Sequence, residues 1–591
     1  MIIILRPLMF NVEKIYHSKF PKLVRFSPSF VTNAIINFLS KLFHEKTYNA
    51  IYAKNHYLTG LDFVDSMIEN LNIIYTVKPN ELKNIPSTGR LIVVANHITG
   101  GSDAFALVQL IANYREDKKV RLMVNGMLMG VTQASDIIIP VDNITGSITK
   151  QSLQAINEAL EKEEVVVIFP AGIVSRFSFD GIMDFPWQAS FLKVAKRNNT
   201  PVLPVKIDGK NSKMFYFLSL FLPRSVTAMM LAHEFATASL RKNLDFNIGR
   251  VIPVKAFSDK NISIKEYMKL FYEHLYTLGT KEKSPLKTEI TITSASNKIQ
   301  LKKEINKSQK LGHTIDGKLI VLCESDKSPF LIQELGRVRE ISFRAIGGGT
   351  GTAKDNDLYD KYYKHLILWD EEDLEIVGAY RIGEVSDIIK HRGMQGLYTY
   401  NQCDFSNEFQ TYTENSVELG RSFVQPKYWG SRALDNLWQG VGAYLANNPE
   451  IVYTYGIVTI NADTPKKAVA ALVYFYSHHF SCESKMMSAK TPYFMTYDEK
   501  REFEELFKYK SYKDGFVVLK HYLKGLNTAV PTLFKQYAEL YEEGAFRFFD
   551  FTINEGLHGV VEGFIIADNS RMKEAKRKRY IKNFEMDNQG E

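Results

Sequence analysis

Five short apolar runs, at residues 91–95, 120–124, 137–141, 165–169 and 202–207, most restrict what the first half of this chain can become. Each is too short for a buried helix, and helical spacing occupies the stretches between them near 103–113, 149–162 and 187–197. Strands alternating with helices predict an α/β layered domain. At 591 residues the chain is too long for one ordinary core, so further domains are expected. The best linker is the Lys-, Ser- and Thr-rich stretch at 281–312, where large apolar residues are isolated. The expected organisation is a basic amphipathic helical region at 1–75, an α/β domain at 76–290, a linker at 291–314, a second α/β domain at 315–570 and a basic tail at 571–591. No internal repeat relates the two halves.

The formal net charge of +8 is unevenly placed. Residues 1–60 hold eight Lys or Arg against two Glu, a balance of +6 interleaved with Phe, Ile and Leu. Basic and apolar together favour an anionic membrane surface over nucleic acid, because a lipid surface rewards both terms; the alternative is a solvated basic face. Cys323, Cys403 and Cys482 have no paired spacing, which predicts a reducing compartment, no disulfide frame and no metal site. The opening MIIILRPLMF is interrupted at Arg6 and Pro7, and the apolar stretch 214–231 is broken at Pro223 and Arg224. Neither supplies the roughly 20 uninterrupted apolar residues of a membrane span. A cytoplasmic protein, peripheral on the inner face of the cell membrane, is expected.

Chemistry concentrates at LIVVANHITGGSD, residues 91–103. An apolar run stops at Asn96 and His97, passes Gly100 and Gly101, and reaches Asp103 before the next apolar segment. Transfer of an acyl group to an alcohol needs a base, since a protonated alcohol is a poor nucleophile, and a neutral imidazole accepts a proton near pH 7. Asp103 would fix the His97 tautomer and stabilise the imidazolium, with the glycines letting the backbone turn tightly. Three further strand ends carry polar or glycine punctuation: VRLMVNGMLM supplies Asn125, VVVIFPAGIVSR supplies Gly172 and Arg176, and TPVLPVKIDG closes the series.

These blocks resemble the glycerolphosphate and lysophospholipid acyltransferase family, whose pattern is N-H-x-x-x-x-D, then F-P-E-G, then an apolar V-P-V block. The resemblance covers about residues 76–230 and implies that His97 and Asp103 are catalytic, while Asn125, Gly172 and Arg176 serve substrate binding. The chain departs from the pattern twice. Five residues separate His97 from Asp103 where the family has four, and Ala171 replaces the glutamate of the second block, with Arg176 beyond it. NH-x-x-GG-x-D with FPAG-x-VSR looks like the haemolysin-like, aminolipid-forming branch, in which the acceptor is no longer glycerol phosphate.

In the second half the informative stretch is VELGRSFVQPKYWGSRALDNLWQGVGAYL, residues 417–445. A strand with Glu418 and Arg421 runs into a turn with Lys427 and Gly430, then into a helix beginning near Ser431 and Arg432. A helix N-terminus can hold a phosphate such as that of a phosphopantetheine arm, although a glycine before a helix is also an ordinary cap. Together with the helix carrying Arg337, Arg339, Phe343 and Arg344, the stretch DNDLYD, the strand VGAYRI and the stretch GFVVLKHYLKG, this resembles the GNAT superfamily of N-acetyltransferases, in the branch of ornithine-lipid N-acyltransferases and acyl-homoserine-lactone synthases. That resemblance covers about 315–530 and implies a mixed-sheet α/β domain in which an amine attacks a thioester directly. It makes Glu418 and Arg421 catalytic candidates, Asp357 and Asp360 substrate-binding candidates, and Lys427, Gly430, Ser431 and Arg432 candidates for the carrier arm. The alternative is a salt-bridged strand face.

Joined, the resemblances imply a bifunctional enzyme that N-acylates glycine or ornithine with a 3-hydroxyacyl group and then O-acylates the lyso-aminolipid. Acyl carrier protein or acyl-CoA would be the donor, with no bound cofactor. Two other readings stay open: a lysophospholipid O-acyltransferase with an accessory domain, and a non-catalytic membrane scaffold that binds acyl carrier protein.

Overall fold

A computed structural model describes residues 11–125, 132–141, 149–178, 181–221, 224–238, 243–481, 486–555, 559–582 and 584. The opening apolar stretch, Cys482, Pro223 and the end of the basic tail lie outside them. The chain divides into two units, Met1–Thr291 and Ile292–Glu591.

The first unit begins with helices α1 (Val12–Lys19), α2 (Pro21–Phe26), α3 (Ser29–Leu42), α4 (Glu45–Asn55) and α5 (Gly60–Asn70). After β1 (Tyr75–Val77) and the one-turn α6 (Pro79–Leu82) come β2 (Leu91–Ala95), α7 (Gly101–Tyr114), β3 (Val120–Asn125), β4 (Ile138–Val141), α8 (Lys150–Glu161) and β5 (Val165–Ile168). A hairpin, β6 (Arg176–Ser178) and β7 (Gly181–Met183), leads to α9 (Ser190–Arg197), β8 (Val202–Asp208), α10 (Lys213–Ser219), α11 (Arg224–Ala236), β9 (Leu244–Ile248) and α12 (Ile264–Thr277). Seven strands form one sheet in the order β1-β9-β8-β2-β5-β3-β4, parallel except for the β8–β9 pair. The predicted α/β layering is observed, and it explains why β2 has no polar position. Leu91, Val93 and Ala95 face a core shared with α5 and α7, while Ile92 and Val94 face one shared with α8, α9 and α12. A central parallel strand has no solvent face to spare for a polar residue.

The second unit starts with α13 (Lys298–Lys307), β10 (Gln309–His313), β11 (Leu319–Cys323), α14 (Pro329–Ala345), β12 (Lys364–Asp370), β13 (Glu375–Glu384) and α15 (Val385–Arg392). It continues through β14 (Cys403–Phe405), β15 (Ser416–Val424), α16 (Ala433–Asn447), β16 (Tyr453–Ile460), α17 (Lys466–Phe480), β17 (Met487–Ala489), α18 (Tyr497–Phe507), α19 (Tyr512–Gly525), α20 (Thr532–Leu540), β18 (Phe546–Asn554) and β19 (Val560–Asp568). Eight strands lie in the order β10-β11-β12-β13-β15-β16-β19-β18, with β14 and β17 paired separately. Every neighbour in the large sheet is antiparallel except β15 and β16.

Two stretches read as connecting or solvated sequence are packed. Residues 298–307, within the expected linker, form α13, which is capped by the Asn297 side chain and buries Leu301 and Ile305 against Leu319 and Val321. Two apolar residues four apart suffice to dock a short helix, and the lysines around them mask that signal. In the basic tail, Tyr580 and Ile581 are buried, and Arg579 and the Tyr580 hydroxyl bond Asp435 at 2.6 Å. Gly442 of α16 admits this segment, since a Cβ there would stand 1.8 Å from the Tyr580 carbonyl oxygen.

Candidate active sites

The candidate residues of the first unit follow the C-terminal ends of the parallel strands β2, β3 and β5, the end of such a sheet at which ligands bind. Past the end of β2, the Asn96 side chain accepts from Ile207 N at 2.7 Å and donates to Ile207 O at 2.8 Å, imitating one more ladder pair to β8. The strand is thereby closed and His97 turns out of the sheet. His97 N donates to Asp184 Oδ1 at 3.1 Å, and its carbonyl accepts from Ser175 N at 2.6 Å and Ser175 Oγ at 2.8 Å.

The imidazole is placed by Asp103 and Phe169. Its Nδ1 lies 3.2 Å from Asp103 Oδ2, and its ring tilts over Phe169 with centroids 4.2 Å apart. Asp103 is wholly buried in the first turn of α7, and its carboxylate also accepts from Ile98 N at 2.6 Å, Thr99 N at 2.9 Å and its neighbour Ala104 N at 2.9 Å. Nδ1 donating to a fixed carboxylate leaves Nε2 as the proton acceptor. Burial opposes the charged imidazole, but the Asp103 charge and hydrogen bond, and the Asp184 charge, outweigh it and lift the His97 pKa above its ordinary 6.5.

The additional residue between His97 and Asp103 is accommodated by its glycines. Gly100 has φ +90°, outside the usual range of residues with a side chain, and a Cβ at Gly101 would meet the Phe235 ring at 3.0 Å. Helix α11 therefore rests directly on the loop between His97 and Asp103, with Leu231 over Gly100.

Asn125 closes β3 beside Val141 of β4. Ala171 is buried, and Gly172, at φ +69°, donates to Phe169 O at 3.0 Å in the turn after β5. Arg176 donates from Nη1 to Val174 O at 2.9 Å and from Nη2 to Thr227 Oγ1 at 3.2 Å, with its guanidinium 4.8 Å from the Phe215 ring centre. Asp184 was not singled out in the sequence. Beyond His97 N, it accepts from Ser175 Oγ at 2.5 Å and Trp187 Nε1 at 2.9 Å, and burial pushes its carboxyl up to about 6.

In the second unit, β15 and β16 pair only from Ser416↔Tyr453 to Leu419↔Gly456, yet run on to Val424 and Ile460. They part after the fourth pair. At the same point β15 bulges against β13, and Arg421 takes a left-handed backbone at φ +49°. A bulge re-aims a side chain, and here it directs Arg421 into a cluster of three arginines and three aspartates. Arg421 Nη1 lies 3.4 Å from Asp355 and Nη2 3.4 Å from Asp357. Arg381 Nη1 donates to Asp357 Oδ1 at 2.6 Å and Asp360 Oδ1 at 3.2 Å, and Arg339 Nη2 donates to Asp360 Oδ2 at 2.6 Å. Burial would raise the Asp357 and Asp360 carboxyls, but the arginines beside them prevail and hold both below the usual range.

Glu418 has a different environment from Arg421. It is buried on β15 and accepts from the Tyr363 hydroxyl, from Tyr398 N at 3.0 Å and from Thr399 N at 2.7 Å. Burial pushes its carboxyl up. Its oxygens pin the 398–399 turn beneath Arg381 and Arg421, whose guanidinium groups lie 5.0 and 5.4 Å from the Tyr398 ring centre. Of the residues expected at the helix N-terminus, Gly430 (φ +77°) makes the turn, Ser431 Oγ accepts from Ala433 N at 3.1 Å, and Arg432 precedes the first turn of α16. Lys427 instead pairs with Glu375 and, at 3.1 Å, with Asp373. Arg381, Arg339 and Asp355 complete the cluster; all three lie in the motifs that carry the resemblance, Arg381 in VGAYRI and Asp355 in DNDLYD, although of the three only Arg339 is named individually there.

Residues 14–247 match the family described as Acyltransferase, and residues 338–439 match the Acetyltransferase (GNAT) domain. A glycine N(alpha)-acyltransferase of Phocaeicola vulgatus is 35% identical over 299 residues, 48% of this chain and 90% of that protein. A lyso-glycine lipid O-acyltransferase of Bacteroides thetaiotaomicron is 27% identical over 275 residues, 46% of this chain and 97% of that protein. An L-ornithine N(alpha)-acyltransferase of Brucella abortus is 30% identical over 132 residues, 21% of this chain and 45% of that protein. The chain is thus an acyltransferase that joins an acyltransferase domain to a GNAT domain, and it belongs to the family of which the glycine N(alpha)-acyltransferases are members.

Proposed function

We propose that one chain carries out both acylations of an aminolipid. The second unit transfers a 3-hydroxyacyl group to the amine of an amino acid, glycine being the substrate in the names of the relatives, and the first unit acylates the hydroxyl so introduced. The observation that carries this reading is coverage: about half of the chain accounts for 90% of an N-acyltransferase, and about half accounts for 97% of an O-acyltransferase.

In the first unit His97 Nε2 takes the hydroxyl proton as oxygen attacks the thioester carbonyl, and Asp103 stabilises the imidazolium. The proton then passes to the departing thiolate, so the imidazole ends neutral. Arg176, near the turn that replaces the family glutamate with Ala171, meets an acceptor bearing a carboxylate. In the second unit the unpaired reaches of β15 and β16 offer backbone donors and acceptors to the amides of a pantetheine arm, whether on acyl carrier protein or coenzyme A. Gly430, Ser431 and Arg432 lie at the helix end where its phosphate would bind.

Attachment to an anionic bilayer on the inner face of the cell membrane fits the first helices. Phe26, Phe30 and Phe38 are 81%, 74% and 64% exposed, beside exposed Arg25 and Lys41. No helix of the described residues is long and apolar enough to cross a membrane.

Lipid extracts from a host expressing the intact chain test the reading. A phosphorus-free diacyl amino lipid is expected, and His97→Ala should leave the mono-N-acyl compound to accumulate. Altered phospholipid chains without an amino lipid would support a lysophospholipid acyltransferase instead, and unchanged lipids would support a scaffold.

A further inference from the structure

The second unit holds buried polar atoms that its own residues do not satisfy. Arg381 Nε and Nη2 and Arg421 Nε have no hydrogen-bond partner among the described residues, although both side chains are buried or nearly so. An unsatisfied buried donor is costly and calls for a ligand. Both arginines sit beside the point where β15 and β16 part, since Arg381 stands opposite Gly420 in the register. The cluster already balances three arginines with three aspartates. A ligand without net charge fits such a site better than an anion alone.

The opposite side of the gap supplies a carboxylate. Glu418 pairs with Tyr455, and Tyr455 with Ile566, so Ile566, Phe564 and Glu562 project from the same face of the sheet as Glu418. Glu562 stands opposite Thr459, beyond Gly456, where β15 no longer covers β16. It is 2% exposed, and the hydrogen bond described for it comes from Asn554 Nδ2 to Oε2 at 3.0 Å.

The other carboxylates near the gap are committed: Asp357 and Asp360 to arginines, Glu418 to Tyr363 and two backbone N–H groups. We propose that the second unit takes its amino acid as a zwitterion at the parted ends of β15 and β16, its carboxylate on Arg381 and Arg421 and its ammonium on Glu562, which removes the proton that acyl transfer requires.

This rests on reading the second unit as an N-acyltransferase. An α-amino acid separates its two charges by one carbon, which requires the cation and the base to be near one another, and the charge of Arg421 is felt at Glu562. Burial lifts the Glu562 carboxyl above the usual carboxylate range, against the Asn554 hydrogen bond and Arg421, which lower it; a base needs such an affinity to compete near neutral pH. The Glu562 charge in turn raises the Tyr398 hydroxyl, after burial, which is the larger cause. In the step itself, Glu562 accepts one ammonium proton, and the free amine forms the C–N bond as the C–S bond breaks. The thiolate takes the second nitrogen proton, and Glu562 returns its own proton to solvent.

The test uses the full chain, an acyl thioester donor, and glycine or glycinamide as acceptor. Glu562→Gln keeps an oxygen for Asn554 and should lower kcat for glycine by about 100-fold, with thermal unfolding unchanged. The deficit should shrink as pH rises and free amine replaces ammonium. Wild-type protein should prefer glycine to glycinamide through KM. A variant as active as wild type at neutral pH, a deficit that does not change with pH, or equal use of glycinamide would overturn the inference alone. Wild-type protein that N-acylates neither acceptor would overturn the functional reading and the inference with it.

Discussion

In the function proposed above, the two units solve the same problem, placing a proton acceptor beside a thioester, with opposite uses of the chain. In the first, base and partner are six residues apart, and Asp103 bonds the backbone of the loop that carries His97. In the second, the charged groups of the cluster come from α14, the 355–360 stretch, β13 and β15, and meet only when the sheet has formed. A local dyad can be altered without unfolding its surroundings, whereas a cluster assembled from distant elements is part of what holds them together.

The largest effect expected from this contrast is catalytic. His97→Ala should lower O-acylation by about 1,000-fold, and Asp103→Asn should also impair it strongly by disturbing the tautomer. Neither should change N-acylation, measured separately with a lyso-lipid and a free amino acid; a parallel loss of both would break the comparison. Next, Arg381→Leu strips a partner from buried Asp360 and from half-buried Asp357, and should destabilise the second unit by about 3 kcal/mol. Denaturant unfolding should show that loss in one transition and leave the other in place.

Acid sensitivity gives a finer test. A raised His97 pKa means that the neutral base is lost as pH falls through a value above 6.5, so the acid limb of O-acylation should lie above that of free imidazole. Asp184→Asn removes a negative charge that favours the imidazolium, and should move the limb downward; an unmoved limb would show Asp184 to be structural only. The smallest effect is expected at Lys427, whose half-exposed pairs with Asp373 and Glu375 should contribute less than about 1 kcal/mol, so Lys427→Ala should leave unfolding almost unchanged.

Legibility in the sequence follows the same division. The stretch from Leu91 to Asp103 was readable because an all-apolar strand, a glycine turn and two ionisable residues occupy thirteen consecutive positions. The alternation of strands and helices was readable because each central strand is buried on both faces. Asp184 was not, since a single acid between a hairpin and a helix has no period, and its value comes from His97, Ser175 and Trp187 meeting there. Glu562 is similarly silent, because only the register across β16 brings it to the gap. Glu418 drew attention as an acid next to Arg421, but alternation along a strand does not reveal that two backbone N–H groups and a tyrosine already occupy it.

The parted strands carry one more consequence. A sheet whose middle ladder stops after four pairs has two inner edges, and whatever lies between them acts as a missing strand. A donor arm bound there, as proposed, would pair with both edges and carry the ladder on past Gly456, where β15 and β16 part. By mass action, a donor present at 100 times its dissociation constant would add about 2.7 kcal/mol to the unit's resistance to unfolding. The melting temperature of the second half would then report how fully its site is occupied by donor.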